Sequence, residues 1–270
     1  MKNRKIKTIF MAAALLFSAR AGMFGQSRGQ AGGQPKHGEK TAAEIVSKSF
    51  NLFLGKSSFG IMKMTIERPS WKRSMELQTW SMGNNFYITY ITGPARDRGN
   101  VFLKYEKDMW NYVPTINRTI KIPPSMMMQS WMGSDFTNND LMKQNSIVTD
   151  YTHKFAGDEK YGNYDCYVVN LQPLPDAAVI WGSIKMWISK NDLNTLKMEY
   201  YDTHGKLVKT QTASDLKMMG GRLLASHMEM ISNKKKGHKT IIDIVKMRFD
   251  IKEINREFFS IQNIRNIRPQ

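Results

Sequence analysis

Again and again along this chain, apolar residues recur at every second position. Met62, Met64 and Ile66 alternate with Lys63, Thr65 and Glu67, and the spacing returns at Phe86/Ile88/Tyr90, Val101/Leu103/Tyr105, Trp110/Tyr112, Tyr167/Val169/Leu171, Ile184/Met186/Ile188 and Leu196/Met198/Tyr200. Successive side chains of a strand point to opposite sides, so each set is one face of a short strand. Turn signals fall between most of them, at Gly83-Asn84-Asn85, Gly157-Asp158, Gly162-Asn163, Asn191-Asp192, Thr203-His204-Gly205, Gly220-Gly221 and Asn233 to Gly237. Many short strands divided by such turns predict an antiparallel sandwich or barrel and argue against a βαβ fold. One helix precedes them. Thr41 and Glu44 form a Thr-x-x-Glu capping box, and Ile45, Val46, Phe50, Phe53 and Leu54 follow at helical spacing up to Gly55.

The stretch WNYVPTINRTIKIPPSMMMQSWMGSDF, Trp110 to Phe136, breaks the alternation. Pro123-Pro124 cannot continue a strand ladder, and Ser125 to Met132 is predicted as a short helix capped by Ser125 and stopped at Gly133. Such a segment is expected to cross an opening of the sheet and bury its apolar side there. Methionine suits a space of variable shape because its side chain is unbranched and polarisable. Plain core packing under a loop is the other reading.

Lys2, Arg4, Lys5 and Lys7, then the apolar run Ile9 to Phe17 and Ser18-Ala19-Arg20-Ala21, have the order of a secretory signal peptide, with cleavage expected near Ala21. The apolar run is short of the ~20 residues a spanning helix needs. Residues 22–40, rich in Gly, Gln and charge, read as a flexible leader, and 41–270 as one domain. Loss of the basic groups in 1–21 lowers the formal charge from +17 but leaves the chain basic. That favours anionic partners such as a membrane surface, with transient contact; no nucleic-acid motif is present. Lys234-Lys235-Lys236 reads as a hairpin tip or an anionic contact. The single cysteine, Cys166, cannot form an intrachain disulfide and sits in an apolar alternation, as a buried small hydrophobe does.

Polar chemistry is sparse. The five histidines are scattered without metal-ligand spacing, and there is no Gly-x-Ser-x-Gly, Walker or dinucleotide motif. Asp135 and Asp140 are read as acceptors at a turn or helix start. What remains is 20 methionines and 6 tryptophans, which favours apolar binding over catalysis. The expected cavity lining is Met62, Met64, Phe86, Ile88, Tyr90, Trp110 and Tyr112, with Met126, Met127, Met128 and Trp131 as part of a lid.

Particular residues also resemble a known family, the LolA-like outer-membrane lipoprotein-sorting proteins. They are Gly93-Pro-Ala, Arg98-Gly99, Met109-Trp-Asn-Tyr-Val-Pro114, Arg118, Lys121-Ile-Pro123, Met127-Met128, Met132-Gly-Ser-Asp-Phe136 and Asp140-Leu141, continued by Tyr161-Gly-Asn-Tyr-Asp-Cys-Tyr167, Tyr200-Tyr-Asp-Thr-His-Gly205 and Lys209. The likeness spans roughly residues 42–267. It implies a mainly β (α+β) fold, a half-open antiparallel barrel of about eleven strands closed by a helical lid. It further implies a monomeric periplasmic carrier, without enzymatic activity or cofactor, for acyl chains of lipoproteins or lipids. An inner-membrane exporter of the ABC or resistance-nodulation-division (RND) type would load it and an outer-membrane acceptor would receive the cargo. A lipid-sensing accessory subunit of an envelope transporter is the alternative.

Overall fold

Thirteen strands dominate the part of the chain that the structure, a computed structural model, describes, residues 40–270. The signal peptide read at 1–21 and, but for Lys40, the leader at 22–40 lie outside these residues. The strands are β1 (Ser57–Arg68), β2 (Trp71–Met82), β3 (Phe86–Gly93), β4 (Val101–Tyr105), β5 (Asp108–Val113), β6 (Arg118–Lys121), β7 (Tyr151–Tyr161), β8 (Tyr164–Pro173), β9 (Ser183–Ser189), β10 (Thr195–Tyr201), β11 (Leu207–Met219), β12 (Arg222–Ser232) and β13 (Lys239–Phe249). All join one antiparallel sheet in the order β6-β5-β4-β3-β2-β1-β13-β12-β11-β10-β9-β8-β7. Hairpins carry the chain outward from β1 to the β6 edge and back from the β7 edge to β13, which closes on β1 in the middle.

Two expectations need correction. The sheet has thirteen strands, not about eleven, and it stays open, with β6 and β7 as edges. The alternation found β1, β3, β4, β5, β8, β9 and β10 but not, for instance, β2. That strand presents Met75, Leu77, Thr79 and Ser81 on one face and Gln78 and Trp80 on the other, so polarity does not separate its faces. Both edges carry charge, Arg118 and Lys121 on β6 and Lys154, Glu159 and Lys160 on β7, which discourages pairing with another chain.

Because β6 and β7 end at opposite edges, residues 122–150 must cross the whole sheet. Laid flat, its twelve inter-strand steps of about 4.8 Å would span ~58 Å. The crossing segment lies on the inner face, where Met126, Met127, Trp131, Met132, Leu141 and Met142 pack on Met64, Ile66, Met75, Leu77, Ile91 and Phe102. It is not the helix expected over 125–132. Two 3-10 turns, Pro124–Met126 and Trp131–Gly133, take its place, because Met132 adopts a left-handed φ of 52° and the Trp131 N–H turns to Phe136 O at 2.8 Å. Helices α2 (Asn138–Met142) and α3 (Ser146–Thr149) complete the crossing.

The other flank of the inner face is covered by α1 (Ala42–Asn51). Its capping box is made as the sequence predicts: Glu44 N–H donates to Thr41 Oγ1 at 3.2 Å and Thr41 N–H to Glu44 Oε2 at 2.7 Å. Ile45 and Val46, both fully buried, pack on Val169, Leu171, Ile184 and Met186. The outer face of β1 to β5 is covered too. Residues 251–267, ending in α4 (Asn263–Asn266), press Phe259 and Ile264 against Phe59, Trp80, Ile88 and Leu103.

Candidate ligand-binding site

The two inner coverings touch where Ile147 and Val148 of α3 pack beside α1, and between them and the sheet lies a cavity of about 340 Å³. Its floor is Met62 of β1 with Met228 and Met230 of β12 and Ile242, Ile244 and Met247 of β13. Phe50, Phe53 and Leu54 close it on the α1 side, Trp131, Phe136 and Leu141 on the crossing segment, and Val179, Trp181 and Tyr200 at the far wall. Gly60 keeps the floor low: a Cβ there would stand 2.8 Å from Met247 Sδ and 2.9 Å from Thr79 Oγ1.

Polarity is graded across the inner face by strand register. Lys104, Tyr87, Ser81 and Ser58 are directly paired neighbours in one row across β4, β3, β2 and β1. Thr89, Thr79 and Gly60 form the next row, and Ile91, Leu77 and Met62 the one after. The face thus passes from hydroxyls and an ammonium group to pure hydrocarbon within three rows. At the far wall Lys209 is ion-paired with Asp140 at 2.8 Å and lies over the Trp181 ring at 5.3 Å.

A buried latch holds the crossing segment down. Arg68 at the end of β1 donates to Asp135 Oδ2 at 2.9 Å and to Gly133 O at 2.7 Å, and Thr240 Oγ1 donates to the same Asp135 oxygen at 2.7 Å. The Arg68 and Asp135 side chains are only 7% and 6% exposed. Asp135 therefore anchors side chains, where a turn acceptor was expected. Asp140 does accept at a helix start, from Thr137 N–H at 2.8 Å in the capping box of α2. Cys166 is fully buried beside Val168, Trp187 and Leu196, and burial pushes its thiol pKa up.

Of the residues expected to form the cavity and lid, Met62 and Trp131 line it. Met64 is fully buried under the crossing segment, in the cluster against which Met126 and Met127 pack, and Met128 points outward, 57% exposed. Ile88, Tyr90, Trp110 and Tyr112 do not line the cavity, and Phe86 borders only a small recess beside it. They lie on the outer face beneath residues 251–267, with the Phe86 and Phe259 rings 5.6 Å apart. Alternation shows which residues share a face, but both faces of β3 are covered, so it could not show which one meets the cavity. The intervening Tyr87 and Thr89 do. Sequence reasoning also missed the floor on β12 and β13, whose available signal was the spacing Met228/Met230 and Ile242/Ile244.

The fold has known counterparts. A DUF1329 family protein from Desulfovibrio piger superposes with a TM-score of 0.74 at 22% identity, covering 83% of this chain and 97% of its own. A domain from Vibrio parahaemolyticus, described as an outer membrane lipoprotein-sorting protein domain, gives 0.70 at 21% identity over 83% and 98%. A LolA superfamily protein from Nitrosomonas europaea gives 0.69 at 22% over 83% and 99%. A family model described as "-like: Uncharacterized protein" matches residues 83–266, about two thirds of the chain. The chain belongs to that family. Its fold is LolA-like. No curated protein matches the chain. The matched span takes in β3 to β13, the crossing segment and most of the outer cover, and leaves out α1, β1 and β2.

Proposed function

We propose that this LolA-like protein is a non-enzymatic carrier of the cell envelope that shelters an acyl chain in the central cavity. The observation that carries this reading is the apolar space enclosed between a curled sheet and a segment latched across it by Arg68 and Asp135. A close-packed methylene takes roughly 25–30 Å³, about the share of a water molecule, so 340 Å³ accommodates about a dozen, or one acyl chain. At about 0.8 kcal/mol per buried methylene the gross gain is near 10 kcal/mol. Association and ordering costs bring that to micromolar affinity or somewhat better.

In this reading Met62, Trp131 and the β12 and β13 side chains touch the cargo, and the crossing segment is a lid built of turns. The N-terminal 21 residues direct export, and the mature protein works as a monomer in the periplasm. It is loaded by an ABC- or RND-type exporter of the inner membrane and unloaded to an outer-membrane acceptor after transient membrane contact. The cargo is the acyl chain of a lipoprotein or of a free lipid. The test is transfer of labelled lipid between two vesicle populations. A carrier accelerates it in proportion to its concentration. Saturable binding without any transfer supports the lipid-sensing accessory subunit instead, and absence of saturable binding removes both.

A further inference from the structure

Lys104 stands out among the groups near the cavity. It is 7% exposed, on the inner face of β4, and no carboxylate among the described residues is paired with it. Its Nζ donates to Asn84 O at 2.8 Å. An ammonium group has three donors, and an uncompensated buried charge is costly to keep, so a lysine left like this in a fold rich in polar alternatives calls for a partner. Burial alone draws its pKa down to about 8, which leaves it cationic at neutral pH. The recess around it is small, about 10 Å³, and borders the main cavity, with Phe50, Leu54, Ser81, Tyr87 and Gln144 lining both.

We infer that the cavity's occupant is a single-chain amphiphile with an anionic headgroup, a carboxylate or a phosphate, seated against Lys104 with the hydroxyls of Tyr87, Ser81 and Ser58 beside it. The inference rests on the acyl-binding reading above and adds the headgroup to it. The row order gives the orientation: head at Lys104, chain running past Thr79 and Gly60 onto Met62, Ile244 and Met247. The opposite orientation is disfavoured because Lys209 at the far wall already has Asp140 as its counter-ion. Carboxylate and phosphate would meet the ammonium and hydroxyl donors in the same way, as oxygen acceptors carrying negative charge.

The experiment compares dodecanoate, dodecyl phosphate and dodecanol, which share a chain and differ in the head, by displacement of an environment-sensitive fluorophore from the full chain. Wild-type protein is expected to bind at least one anion 10-fold or more tighter than the alcohol, and the ratio of the two anions tells carboxylate from phosphate. In Lys104→Met, which keeps the apolar stem, the anion and the alcohol should bind equally, while Lys104→Arg keeps the preference. Equal binding of all three probes to wild type overturns the headgroup assignment and leaves the acyl cavity standing. An anion preference that survives in Lys104→Met also overturns it. No binding of any probe overturns the cavity reading and this inference together. Should Lys104→Met fail to fold, the wild-type ratio and the Lys104→Arg variant still decide.

Discussion

Replacing Arg68 by alanine tests whether the crossing segment is a lid or part of the core. Arg68 makes four donor contacts: Asp135 Oδ2 at 2.9 Å, Gly133 O at 2.7 Å, Glu67 O at 2.7 Å and Lys239 O at 3.2 Å. Truncation removes them all and leaves the Asp135 carboxylate, 6% exposed, with Thr240 as its remaining side-chain partner. Breaking a buried pair in this way costs about 3–5 kcal/mol. If the segment opens as a unit, that cost falls on the opening equilibrium, a factor of about 10² to 10³ or more. The assay is hydrogen exchange resolved by segment. Amides that close the segment, such as Trp131 N–H to Phe136 O and Asn139 N–H to Met127 O, should lose that much protection, while those of β8 and β9 keep theirs. Asp135→Asn added to Arg68→Ala removes the stranded charge and should return part of the loss. Equal loss of protection throughout the sheet would refute the lid, since it would show the latch to be part of the global fold. No change anywhere would refute the latch.

Four further outcomes follow from the geometry. Gly60→Val should weaken binding of a twelve-carbon chain at least 10-fold with a stability loss of about 1–3 kcal/mol, because its side chain enters the cavity floor against Met247 and Thr79; titration and melting curves check it. Phe259→Ala should cost about 3–5 kcal/mol in denaturant unfolding yet leave ligand affinity in the folded protein unchanged, since Phe259 serves only the outer face. Met230→Asp should lower both stability, by about 3 kcal/mol or more, and binding, because Met230 is a buried part of the apolar floor where a carboxylate loses its water; the same two assays read it. The folded-state pKa of Lys104, near 8 against 10.5, means that below about pH 8 both states are protonated and the folded state bears a cost of about 3 kcal/mol. Between pH 8 and 10.5 the unfolded chain binds more protons, so stability rises with pH through that window. The stability difference between Lys104→Met and wild type should shrink by about the same amount over it, measured by urea unfolding at each pH.

Part of the local chemistry was legible in the sequence. Thr41 and Glu44 cap α1 because the donors they satisfy lie within one turn, and Met62, Met64 and Ile66 share a face because strand geometry has a period of two. The Pro-Pro pair and the methionine cluster marked a segment that leaves the meander, and that segment does cross the sheet. Membership of the cavity was not legible. It depends on which covering lies over which face, and the covering of the outer face comes from residues 251–267, about 140–180 positions away from Phe86 to Tyr112. A strand buried on both sides carries two apolar sets, and periodicity weighs them equally. Nor could spacing reveal Lys104 and Ser58 as members of one row, since that row exists only once four strands have paired in register. Sequence determined the faces; tertiary pairing alone decided which face is hollow, because a cavity belongs to the gap between elements and to no single element.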